Sequence, residues 1–224
     1  MTLAALVLWG VVVGLDATSV AQTMLSRPLV ACAVAGAILG HPVEGATLGV
    51  VLEIFALLVL PIGAVRYPES GVAGVASTYA LVQGGEPELT AVPLLLAAVF
   101  ALGWERVAGG SVTLLRRCNE RLMADAPSRG AVDAGRLERL HLAAIACDAV
   151  RAGLVTLVGA LAGRWLVSGL AGYWGLGDEA AFRALAIALA MAIGATLSLF
   201  GMERKRLVLL LIGVSCGLAI LSFR

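Results

Sequence analysis

GATLGVVLEIFALLVLPIGAVRYPESG, residues Gly45 to Gly71, is the stretch on which the fold turns. It opens as an apolar run with small residues four apart, Gly45 and Gly49, and one carboxylate, Glu53, four further on. In a helix these three stack on one face. The two glycines predict close approach by a second helix, with Glu53 pointing at that approach and away from lipid. The run breaks at Pro61 and Gly63 and ends in the polar turn Arg66-Tyr67-Pro68-Glu69. A carboxylate at membrane depth costs several kcal/mol, so Glu53 reads as a functional group, with helix tethering as the structural alternative.

Working outward, the composition permits such a membrane setting. The 224 residues are 60% hydrophobic and only 14% charged, with a mean hydropathy of +0.97. The fold class expected is all-α, a polytopic transmembrane helical protein with short re-entrant or broken segments in its N-terminal half. A transmembrane barrel requires alternating apolar and polar positions, which are absent. A net charge of +1 and no basic stripe with aromatics argue against a nucleic-acid partner. The four cysteines, Cys32, Cys118, Cys147 and Cys216, form no CxxC pair and have no histidine near them in sequence. They read as small apolar side chains, with no metal site. The first apolar run lacks a basic leader and reads as a retained span.

Thr2 to Leu15 is a first helix with a polar end carrying Asp16, Thr18, Ser19 and Gln22, closed by Ser26-Arg27-Pro28. Leu29 to Leu39 and Val72 to Val82 are apolar but short. Eleven helical residues cover only about 16 Å, roughly half the hydrocarbon thickness, so neither segment is expected to cross the bilayer by itself. Short, interrupted segments flanking an embedded acid point to a transporter's substrate site. Ala91 to Val107 reads as a full span with Trp104 as an interfacial anchor. Gly110 to Arg139 alternates arginines with acids and reads as the main solvated, cytoplasmic loop. His141 to Leu170 is apolar but contains Asp148 and Arg151, three apart and able to pair as a structural ion pair. Ala181 to Phe200 crosses back, Glu203-Arg-Lys-Arg206 is a second basic cluster, and Leu207 to Leu221 is a last span. The expected divisions are 1–109, a membrane region with the substrate-site segments; 110–140, a cytoplasmic amphipathic connector; and 141–224, C-terminal membrane helices. Soluble catalytic apparatus is not visible: His41 and His141 stand alone, and there is no GxxxxGK[ST] loop and no HExxH. No catalytic residue and no cofactor is expected.

Several of these residues together resemble a known family. Gly14-Leu-Asp16, Gln22, Leu25-Ser-Arg-Pro-Leu-Val30, Ile38-Leu-Gly40, Gly45, Gly49, Leu52-Glu53, Pro61-Ile-Gly63-Ala64 and Pro68-Glu69, with Leu137-Glu-Arg-Leu-His-Leu142 further on, resemble the membrane subunit IIC of the mannose/fructose/sorbose family of the bacterial sugar phosphotransferase system. The resemblance is dense from Gly14 to Gly71 and thin after Leu142. It implies a sugar-translocating, multi-pass subunit in the bacterial cytoplasmic (inner) membrane. Its implied partners are a sugar substrate, the membrane subunit IID, and soluble IIA and IIB that carry phosphoryl groups through their own histidines. No phosphorylated residue is implied in this chain. The chain departs from the family pattern where Tyr67-Pro68-Glu69 stands in place of Pro-Pro-Asp, and where Asp148 and Arg151 enter a helix that is usually apolar.

The expected substrate-binding set is Glu53, with Asp16, Gln22, Arg27, Arg66 and Glu69 around it, because carboxylates, amides and guanidinium groups suit sugar hydroxyls. The Gly45/Gly49 face fits homo-oligomerisation as well as pairing with IID. A different class of reading remains open: an orphan IIC-like membrane protein acting as scaffold, regulator or uncoupled transporter. An intramembrane enzyme ranks last, since clustered acids or histidines on one face are missing.

Overall fold

The structure is a computed structural model of the chain, describing residues 2–20, 22–59, 68–85, 89–124, 134–175, 177–199, 208, 211–213 and 215. The described residues are mostly helical, with no strand among them. The helices run in order α1 (Thr2–Thr18), α2 (Pro28–Leu39), α3 (Pro42–Ala56), α4 (Ser70–Gly84), α5 (Ala91–Ala124), α6 (Ala134–Ala171) and α7 (Gly177–Leu199). Three stretches among them are long and apolar enough to cross a membrane: Ala91–Arg121, Gly135–Ala171 and Gly177–Leu199.

α2 and α3 form a tight antiparallel hairpin. α2 starts with Pro28 at its first turn, where a missing N–H does no harm, and stops at Gly40, whose φ of 82° lies in the left-handed region. Pro42 then opens α3. At the crossing, a Cβ on Gly45 would lie 2.7 Å from the Gly36 Cα and closer still to the Cys32 carbonyl. A Cβ on Gly49 would lie 3.0 Å from the Leu29 Cα. The Gly45/Gly49 face, expected to fit self-association or IID, is instead filled by α2 of the same chain, and Glu53 continues that face towards Arg27. With 12 and 15 residues, α2 and α3 extend about 18 and 22 Å.

α4 is the centre of the molecule. Every residue from Gly71 to Leu81 is buried, among α1, α2, α3, α5 and α6. A helix apolar on all sides belongs in such a position. Val72 and Val75 join Leu6, Val13 and Ala31 in one apolar cluster, while Ala80 and Leu81 join Leu48, Leu52 and Ala97 in another.

Two expectations are revised. The stretch Gly110 to Ala124, read from its charges as solvated loop, is the continuation of α5, with Arg116, Arg117, Glu120 and Arg121 exposed. Charges four apart on an exposed helix face are as compatible with helix as with loop. Trp104 is not a free interfacial anchor. Its Nε1 donates to the Val155 carbonyl at 3.2 Å and its ring stacks on Phe100, so it packs α5 against α6. Most of the last expected span, Leu207 to Leu221, lies outside the described residues, as do the Pro61 and Gly63 break and the cluster Glu203 to Arg206.

Candidate functional site

The site forms where α1 ends, α2 and α4 begin, and α3 runs out. The turn between α1 and α2 is pinned by Asp16, which is buried. Asp16 Oδ1 accepts from the Thr23 N–H at 2.6 Å and the Thr23 hydroxyl at 2.7 Å, and Oδ2 accepts from the Ser26 N–H at 2.9 Å. Such a clamp is needed because Gln22 and Met24 hold left-handed φ values of 53° and 67°, uncommon for residues with a Cβ. The turn delivers Ser26 and Arg27 to the head of α2.

Arg27 then meets Glu53: its Nη2 donates to Glu53 Oε1, while the Leu29 N–H donates to Oε2 at 3.2 Å. Glu53 thus ties the end of α3 to one of the open N–H groups at the start of α2. Across from this pair, Glu69 precedes α4 and is held bidentately by Arg151 of α6, with Nη1 to Oε2 at 2.6 Å and Nη2 to Oε1 at 2.8 Å. Arg151 Nε also donates to Asp148 Oδ1 at 2.7 Å, and its Nη1 donates to the Ser111 hydroxyl at 3.0 Å. Asp148 Oδ2 in turn accepts from the Thr18 hydroxyl at 2.5 Å and from the Ser19 hydroxyl. One network therefore joins α1, the head of α4, α5 and α6. The guanidinium fork supplies two parallel charge-assisted bonds to Glu69, the strong form of this contact.

Between the two ion-paired groups lies a cavity of about 240 Å³. Its polar lining comes from Ser26, Arg27, Glu69, Ser70 and Glu105, and Ala17, Pro28 and Ala56 contribute apolar walls. The structure brings Arg27 and Glu69 to this cavity, with Glu53 behind Arg27 and Asp16 behind the turn. Gln22 is exposed and does not line it. Arg66 lies outside the described residues. Two participants go unnoticed in the sequence. Arg151 reads there as the local partner of Asp148, and its second partner, Glu69, is 82 positions away. Glu105, near the end of the expected span Ala91 to Val107, draws no reading in the sequence, yet it is 8% exposed and lines the cavity. A second cavity, of about 420 Å³, lies at the opposite end of α4, lined by Gly84, Thr90, Ser168, Trp174 and Asp178 among others. It contains none of the expected site residues.

The arrangement suits a small, uncharged, polyhydroxylated molecule: a guanidinium, hydroxyls and carboxylates line one cavity together with apolar side chains.

Comparison with known proteins is consistent with this membrane setting. A solved chain described as "Structure of membrane protein" has the same fold, with a TM-score of 0.71 over 96% of this chain and 86% of that one, at 17% identity. The chain is 30% identical over 153 residues to the "PTS system sorbose-specific EIIC component" of Lacticaseibacillus casei, covering 67% of this chain and 52% of the relative. It is 32% identical over 140 residues to the "Fructose permease IIC component" of Bacillus subtilis (strain 168), covering 60% and 48% respectively. The chain thus spans about half the length of the curated relatives it matches. The family model "PTS system sorbose-specific iic component" matches residues 1–212. The chain is a membrane component that belongs to the sorbose-specific IIC family of the phosphotransferase system.

Proposed function

We propose that the chain is a sugar-translocating permease subunit of a mannose-type phosphotransferase system, multi-pass in the bacterial cytoplasmic membrane. In this reading it binds a monosaccharide at membrane depth and hands it to a phosphoryl-donating IIB, with IID as its membrane partner. The observation that carries the reading is the cavity between Arg27–Glu53 and Glu69–Arg151. At about 240 Å³ it is smaller than the roughly 300 Å³ at which drug-sized sites begin, which suits a single sugar ring. The relatives named for sorbose and fructose make those two sugars the first candidates. The region up to residue 109 supplies most of the cavity. Residues 141–224 brace it through Arg151.

The test is uptake of labelled sorbose and fructose by cells lacking their own permeases, with this chain supplied alone and together with IIA, IIB and IID subunits from its gene neighbourhood. Uptake and sugar phosphorylation that require the chain and its companions support the permease. Normal assembly of the chain with no uptake of either sugar, in any combination, favours the orphan scaffold.

A further inference from the structure

Glu69 and Glu105 line the cavity, and Asp16, Glu53 and Asp148 belong to the hydrogen-bonded turn and ion pairs beside it; of these five carboxylates, all but Glu105 are held by close donors from the protein. Asp16 is held by Thr23 and Ser26, Glu53 by Arg27 and Leu29, and Asp148 by Arg151, Thr18 and Ser19. Both oxygens of Glu69 are held by Arg151. Glu105 is the exception. It lies inside the apolar stretch Ala91–Arg121, is 8% exposed, and lines the cavity. Its one ion pair among the described residues is with Arg106 Nε at 3.5 Å, from a side chain that is 73% exposed. That is well beyond the ~2.7–2.9 Å of a charge-assisted hydrogen bond. A carboxylate buried in this way is costly unless something pairs with it. The position is nonetheless built: the Glu69 N–H donates to the Glu105 carbonyl at 3.1 Å, docking the head of α4 onto this point of α5.

We propose that Glu105 is the principal acceptor of the cavity, taking hydrogen bonds from the hydroxyls of a monosaccharide-class ligand while Arg27, which lines the same cavity, donates. The proposal rests on the permease reading and adds to it the residue that contacts the substrate. Vicinal hydroxyls each donate and accept, so one acceptor and one donor lining the same small cavity match them. Glu69, the acid of the family turn, is then a wall fixed by Arg151, and Glu105 does the binding.

The test uses the full chain in membrane vesicles and the same two labelled sugars. Wild type and Glu105→Gln are compared for sugar affinity and melting temperature. Wild-type vesicles are also treated with a hydrophobic carbodiimide, which modifies buried carboxyls, with and without sugar. The expected result is at least a tenfold loss of affinity in the variant at an unchanged or higher melting temperature, and protection of Glu105 from modification by sugar. Wild-type affinity in Glu105→Gln, or modification of Glu105 unaffected by a sugar that binds, overturns the role of Glu105 and leaves the permease reading standing. If wild type binds neither sugar, both fall. The protection experiment needs no variant, so it decides the matter even if Glu105→Gln fails to fold.

Discussion

At the scale of single residues, the buried charges beside the cavity are held in close pairs, with Arg151 bridging Glu69 and Asp148. The Arg151 side chain is 9% exposed and that of Glu69 is 4% exposed. Removing the cation strands both Glu69 and Asp148, and breaking a buried pair costs about 3–5 kcal/mol. Arg151→Met is therefore expected to lower the melting temperature sharply in a detergent thermal-shift assay. Arg151→Lys should fall between the two, since an ammonium cannot reproduce the two-pronged contact. Arg183→Met, which breaks a pair of side chains 72% and 78% exposed, should leave the melt unchanged. If Arg151→Met melts like the wild type, the network is not a brace. Sequence makes some of this legible. The step of four from Gly45 through Gly49 to Glu53 places them on one face, because helical geometry is local. Glu69–Arg151 is invisible there, because nothing local relates residues on different helices.

At the scale of elements, the α2–α3 hairpin depends on glycine at its crossing. A methyl group on Gly45 would overlap the Cys32 carbonyl and the Gly36 backbone, so the two helices would have to part. Overpacking of this kind costs about 1–3 kcal/mol, and moving α3 also moves Glu53 away from Arg27. Gly45→Ala should lower both melting temperature and sugar affinity. Gly103→Ala, at a helical position with open space around the new methyl group, should stabilise slightly. Equal behaviour of the two variants in a paired melting experiment contradicts the close crossing. The short helices were readable from the sequence because proline and glycine punctuate them. α2 runs Pro28–Leu39 and α4 runs Ser70–Gly84, close to the expected Leu29–Leu39 and Val72–Val82. The length of α5 was not readable, because a solvated helix and a solvated loop share one composition.

At the scale of the whole molecule, α5 and α6, with 34 and 38 residues, reach about 51 and 57 Å, well past the ~30 Å hydrocarbon core. Their charged ends, around Arg116 to Arg121 and Arg136 to Arg139, are the parts expected to lie beyond it. If two crossings separate that basic region from Glu203 to Arg206, the excess of Lys and Arg in cytoplasmic loops predicts both on the cytoplasmic side. Single cysteines at Ser128 and Lys205 should react with an impermeant thiol reagent only when the cytoplasmic face is open. Labelling from opposite faces contradicts the topology. The apolar character of the molecule was legible in composition alone, whereas the burial of α4 among its neighbours emerges only from the packing of five other helices around it.

In the permease reading, a sugar binds at the junction of Arg27, Glu53 and the head of α4. Glu53→Gln tests it most directly. The change preserves size but leaves one carbonyl oxygen for two donors, Arg27 and the Leu29 N–H, and removes the charge that orients the guanidinium. Water can cover the structural loss, because the Arg27 side chain is 41% exposed. Affinity for sorbose and fructose and the melting temperature are measured on the same purified sample. The expected result is at least a tenfold loss of affinity, about 1.4 kcal/mol, with little change in melting temperature. Unchanged affinity with a lowered melting temperature contradicts it and leaves Glu53 as a residue that only packs helices.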